Sequence, residues 1–73
     1  MRKVFMLEDL DCAACAAKME DAIKRIEGVD FASVNFVMQK LTLEADDAIF
    51  DRCVKEAQKT IKKVEPGCRI LVK

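Results

Sequence analysis

Histidine, tryptophan and tyrosine are absent from the 73 residues, and there are only two glycines and one proline. The missing histidine has the widest consequence. It removes the usual acid–base group of neutral pH, the Ser-His and Cys-His nucleophile pairs, and every imidazole metal ligand. A soft-metal site in this chain has to be built from sulfur and oxygen. The scarcity of glycine and proline excludes a linker or a collagen-like chain. Net charge is also absent, with 13 basic residues against 13 acidic ones. Bulk charge therefore gives no reason to expect a nucleic acid or an anionic membrane as partner. No apolar run reaches the length of about 18 residues that a membrane-spanning helix needs. The opening stretch meets acid at Glu8 and Asp9, too early for a signal peptide, so an oxidising compartment is not expected.

What the chain does have is apolar and charged residues, 52% and 36% of the total. That balance describes a folded chain rather than a disordered one. Its length suits a single domain over 1–73 with a modest core. Lys3 to Glu8 reads as a strand and Asp9-Leu10-Asp11 as a loop. From Ala13 the period becomes helical, with Cys15, Met19, Ala22, Ile23 and Ile26 on one face and Gly28 as the stop. Ala32, Val34, Phe36 and Met38 alternate with Ser33, Asn35, Val37 and Gln39 as a second strand, Gln39-Lys40 is a turn, and Leu41 and Leu43 mark a third. Asp46 or Asp47 is placed to cap a second helix. Its apolar face runs Ile49, Phe50, Cys53, Val54, Ala57, Ile61 and Val64. Glu65-Pro66-Gly67 ends it, and Cys68 to Val72 forms the last strand, with Cys68, Ile70 and Val72 on one side. The order β-α-β-β-α-β predicts an α+β, ferredoxin-like sandwich, a four-stranded antiparallel sheet with both helices on one face. The other face is expected to be solvated, with Lys3, Ser33, Asn35, Lys40, Thr42 and Arg69 on it.

Four cysteines are distributed as one tight pair, Cys12 and Cys15, and two singles, Cys53 and Cys68. The pair falls where the first strand gives way to the first helix, so both sulfurs can face one spot. A helix N-terminus carries positive potential and free N–H groups. That field favours thiolate, the form that binds metal and attacks electrophiles. Asp11 adds a carboxylate beside the first sulfur. Two thiolates alone suit a monovalent soft ion such as Cu(I), whereas two thiolates with a carboxylate suit Zn(II) or Cd(II). Three protein ligands also leave one tetrahedral position open, as metal exchange requires. The metal ligands read from the sequence are therefore Asp11, Cys12 and Cys15, with no catalytic residues. Asp11 as a helix cap only is the competing reading. Cys53 reads as core, and Cys68 does too, although the last strand brings Cys68 and Glu65 to the same end of the molecule as the pair. Met19 and Met38 read as gap fillers.

These residues resemble the heavy-metal-associated domain found in soluble metal chaperones and at the N-termini of metal-transporting P-type ATPases. The likeness covers essentially the whole chain. It rests on Asp9-Leu10-Asp11-Cys12-Ala13-Ala14-Cys15, on Gly28-Val29, and on Val34-Asn35-Phe36 and Lys40-Leu41-Thr42-Leu43. In that family Thr before the first Cys goes with copper and Asp goes with zinc-, cadmium- and lead-exporting ATPases. Asp11 and Glu65-Pro66-Gly67 resemble the second branch, and Leu10 corresponds to the apolar residue tucked beneath the loop. Asp9 departs from the family's usual glycine, which makes it a further or competing oxygen ligand. The resemblance implies zinc, cadmium or lead ahead of copper as the bound ion. It also implies a cytoplasmic, mainly monomeric domain whose partner is the remainder of a cell-membrane ATPase in the same chain. The alternatives are a free-standing copper or mercury chaperone of the same fold, a C-x-x-C thiol redox module, and an interaction domain with vestigial cysteines.

Overall fold

The computed structural model describes residues 1–71. The elements are β1 (Arg2–Glu8), α1 (Ala13–Lys24), β2 (Val29–Asn35), β3 (Lys40–Ala45), α2 (Phe50–Val64) and β4 (Arg69–Leu71), with a 3₁₀ turn at Asp47–Ile49 leading into α2. The strands lie in the order β2-β3-β1-β4. Each neighbouring pair is antiparallel. This is the expected ferredoxin-like arrangement. Val72, assigned to the last strand from the sequence, lies outside the described residues.

Alternation decides which residues face the helices. Phe5 and Leu7 of β1, Leu41 and Leu43 of β3, and Ile70 of β4 are buried beneath α1 and α2. The helices contribute Met19 and Ile23 from α1, and Cys53, Ala57 and Ile61 from α2, each with no exposed surface. Phe5 stacks on Phe50 with ring centroids 6.3 Å apart, which ties the central strand to the start of α2. Burying each large apolar side chain contributes roughly 1.5–3 kcal/mol before chain entropy is charged against it.

The two edge strands are covered by side chains from the helices. Glu20 of α1 accepts from the Val34 N–H of β2 at 2.8 Å. Gln58 of α2 accepts from the Ile70 N–H of β4, also at 2.8 Å. Each bond occupies an outward N–H that would otherwise be open to pairing with another strand.

Four details depart from the sequence reading. β2 ends at Asn35 and not at Met38, because Phe36 to Gln39 form the hairpin turn, closed by the Asn35 side chain accepting from Met38 N–H at 2.9 Å. Met38 is therefore exposed rather than a core gap filler. Lys3 pairs with Leu43 and so shares the helix-facing side, at its exposed end, while Val4 and Met6 project from the open face beside Thr42 and Lys40. The open face is mixed, with Ser33, Asn35, Lys40, Thr42 and Arg69 interspersed among Val4, Met6, Phe31 and Leu71. Arg2 spans part of it, lying 4.9 Å from the Phe31 ring centroid.

The fourth detail is Gly28, which is not the residue that ends α1. The helix cap is Arg25, and the turn tightens through i→i−3 bonds from Arg25 and Ile26. Gly28 instead serves the entry into β2 at φ +96°, where a Cβ would run into Ile49 Cδ1 and come 3.1 Å from the Arg52 guanidinium. Gly28→Ala therefore meets both a left-handed backbone and a crowded site. We expect it to lower stability by about 1–3 kcal/mol. A urea unfolding midpoint equal to that of the parent would contradict this packing.

Candidate metal site

The loop between β1 and α1 carries the pair. Cys12 is the N-cap of α1, in extended backbone, and its Sγ accepts the backbone N–H of Cys15 at 3.2 Å. The first full helical bond follows at once, from Ala16 N–H to the Cys12 carbonyl at 3.0 Å. The C-x-x-C spacing is thus the spacing of N-cap and N3, the same interval that lets a Ser or Asp cap a helix. Here sulfur fills the role, and Asp11 does not. No acidic residue occupies the first turn of α1, so the positive end of the helix is left to the sulfurs.

The two thiols differ because each shapes the other. Cys12 is held below the ordinary thiol range, chiefly by the hydrogen bond from the Cys15 thiol, then by the Cys15 and Ala14 backbone N–H groups. Cys15 is pushed above that range, first by the same bond, in which it is the donor, then by burial, the Cys12 charge and Glu65. The pair is therefore unequal, with Cys12 giving up its proton more readily than Cys15.

Both sulfurs are half-buried, and Cys15 packs against the core while Ala16 takes the fully covered position. Asp11 is exposed. Among the described residues, no third Cys, Asp or Glu stands with the pair in a ready-made ligand cluster. The structure thus brings Cys12 and Cys15 together and leaves the Asp11 carboxylate outside.

Antiparallel pairing of β4 with β1 carries Glu65 and Cys68 to this end of the molecule, as the topology requires. Glu65 is near enough for its charge to raise all three of Cys12, Cys15 and Cys68. Cys68 has no exposed surface, and burial is the main reason its thiol is pushed up, followed by the charges of Glu65, Asp9 and Asp11. Cys53 is core as expected, its thiol directed at the Glu27 carbonyl at 3.9 Å.

Two features fix the loop from below. Asp9 stands at φ +61°, so the position where the resembling family has glycine does need a left-handed backbone. Leu10, 2% exposed, drives its side chain into the core. Its peptide groups are both taken by one side chain from the hairpin turn. Gln39 Oε1 accepts from Leu10 N–H at 3.1 Å, and Gln39 Nε2 donates to the Leu10 carbonyl at 2.6 Å. Sequence reading missed this contact. A polar residue in a turn, 29 positions away, carries no local sign of such a partner.

Comparison with known proteins agrees with this geometry. The family model described as "Heavy-metal-associated domain" matches residues 4–65. The chain is 32% identical over 66 residues to the cadmium, zinc and cobalt-transporting ATPase of Bacillus subtilis, covering 90% of this chain and 9% of that protein. It is 45% identical over 40 residues to the copper-exporting P-type ATPase of the same organism, covering 55% of this chain and 5% of that one. The chain thus spans less than a tenth of the length of the curated relatives it matches. The solution structure of the N-terminal soluble domains of Bacillus subtilis CopA superposes with a TM-score of 0.78 at 30% identity, over all of this chain and 47% of that one. Among the described residues no helix is long and apolar enough to cross a membrane.

The inequality of the two thiols has a pH signature. A lowered Cys12 exposes thiolate at a lower pH, and a raised Cys15 delays it. In the metal-free chain, alkylation followed by peptide mass spectrometry should label Cys12 at a pH at which Cys15 is still spared. Cys53 and Cys68 should stay unlabelled until the fold is lost. Identical pH profiles for Cys12 and Cys15 would contradict this inequality. The chain belongs to the heavy-metal-associated domain family, a class of metal-binding modules.

Proposed function

We propose that this domain binds a divalent soft metal ion, zinc, cadmium or lead, through Cys12, Cys15 and Asp11. In this reading it is the cytoplasmic N-terminal metal-binding domain of a heavy-metal-exporting P-type ATPase. The observation that carries the reading is the sulfur cap. Cys12 accepts the Cys15 N–H at the positive end of α1 and keeps lone pairs for an ion. A cation that displaces the thiol protons turns both sulfurs into thiolate ligands.

The preference for a divalent ion rests on charge. Two thiolates around Cu(I) leave one negative charge, in a site already facing Glu65, Asp9 and Asp11. A divalent ion neutralises the two thiolates and then attracts one of those carboxylates. Asp11, adjacent to Cys12 and exposed, has the freedom to turn in and complete a three-ligand site. The likeness to a cadmium, zinc and cobalt transporter over 90% of this chain supports the same choice. Copper-transporting ATPases match over as much as 84% of it at 31% identity, so the choice of ion rests on the charge argument and not on coverage.

As part of such a transporter the domain captures an ion and passes it on, a role for which an open coordination position is suited. The rest of the ATPase is then its partner, and ATP hydrolysis belongs to that part.

Competition titrations test the assignment. The reduced domain should hold zinc or cadmium against a weak chelator. Asp11→Thr should weaken zinc binding at least about tenfold, a loss of about 1.4 kcal/mol, and spare Cu(I). Unchanged zinc affinity in Asp11→Thr would remove the carboxylate from the site. A parent domain that retains Cu(I) but neither zinc nor cadmium would favour a copper chaperone instead.

A further inference from the structure

The hairpin turn between β2 and β3 reaches across to the metal loop by one side chain, and its geometry is specific. Gln39 has a left-handed backbone, φ +54°. Its carbonyl accepts from Leu7 N–H at 2.8 Å, extending the β1–β3 ladder by one rung. Its amide nitrogen donates both to the Phe36 carbonyl at 2.9 Å and to the Leu10 carbonyl at 2.6 Å, while its amide oxygen accepts from Leu10 N–H at 3.1 Å. A primary amide is the side chain that matches a peptide on both sides at once, donor to acceptor and acceptor to donor. Glutamate offers only the acceptor and lysine only donors.

Leu10 is the last residue fixed by the core before the chain rises to Cys12. Its side chain is held in the core, and its peptide is held by Gln39, so both of its degrees of freedom are taken. We propose that Gln39 is a positioning residue for the bound ion. It holds the start of the Asp11–Cys15 loop at one height above the sheet. It thereby limits how far Cys12 and Asp11 can swing away together. Such a restraint acts mainly on the departure of the ion, because release requires the loop to lift. The inference rests on the metal reading above and extends it to a residue from a different element.

Two substitutions separate positioning from folding. Gln39→Gly removes the side chain and relieves the left-handed backbone. Gln39→Asn keeps a residue type that tolerates this backbone but shortens the side chain by one methylene, too short to reach both Leu10 groups. Both should keep the thermal midpoint close to the parent. Three quantities are read for parent and variants. They are the hydrogen-exchange rate of the Leu10 amide in the metal-free chain, the rate of cadmium transfer to excess chelator, and the cadmium-113 chemical shift. We expect faster Leu10 exchange, cadmium release accelerated by about tenfold, in the range of losses seen when groups that orient ligands are removed, and a displaced cadmium resonance. Variants that exchange Leu10 faster yet release cadmium at the parent rate with the parent resonance would reduce Gln39 to a structural contact and overturn the proposal. A parent chain that holds no cadmium would instead sink the metal assignment itself, and the two failures are told apart in the same experiment.

Discussion

A sulfur atom takes the place of the usual oxygen at the head of α1, and most of what distinguishes this molecule follows from that substitution. A helix start leaves N–H groups without partners. Cys12 answers the N–H of Cys15, three residues on, at 3.2 Å. The bond does two things. It begins the helix, and it holds the second cysteine where its own thiol can donate back to the first. The consequence is a pair with unequal proton affinities, Cys12 low and Cys15 high. In the proposed function a soft cation takes the place of the thiol protons at a sulfur pair the fold has already brought together.

The rest of the fold keeps that pair at a fixed place. The βαββαβ order brings β4 alongside β1, and with it Glu65, whose charge reaches both sulfurs. The loop is pinned at Leu10, buried below and clamped by Gln39. Asp9 adopts a left-handed backbone just before the pin, which non-glycine residues accept at some cost. Local strain next to a binding loop fits a site whose form is set by the scaffold and not by its own residues. The carboxylates that gather around this end, Asp9, Asp11 and Glu65, favour positive charge there. They also add to the effect of burial, which is the main reason Cys68 holds its proton tightly.

The fold was legible in the sequence because its elements carry clean periods. Leu41 and Leu43 alternate, and Cys53, Ala57 and Ile61 recur at helical steps, so strand and helix identify themselves. The cysteine pair was legible for the same reason, since its position at a strand-to-helix junction is a local property. The errors occur where local pattern and tertiary context part company. Phe36 and Met38 continue the alternation of β2 in composition, yet the chain turns at Phe36 because Asn35 and Gln39 bond to the turn's backbone. Lys3 looks like a surface residue and is one, but register with Leu43 puts it on the other face of the sheet. Gly28 follows a helical stripe without being its stop. Asp11 reads as a ligand or a cap by adjacency. The cap proved to be Cys12, so it is the cap reading of Asp11 that falls. The Gln39–Leu10 contact is invisible to any period, since it depends on two loops being brought together by four strands.

In the proposed function Cys12 and Cys15 hold the ion together, as the only two sulfurs in its coordination sphere, with oxygen completing it. X-ray absorption at the zinc edge of the loaded domain reads that sphere directly. Two sulfur scatterers at about 2.3 Å with oxygen scatterers at about 2.0–2.2 Å are expected. A shell of three or four sulfurs, which would require Cys68 or a second copy of the chain, or a shell with none, would contradict it.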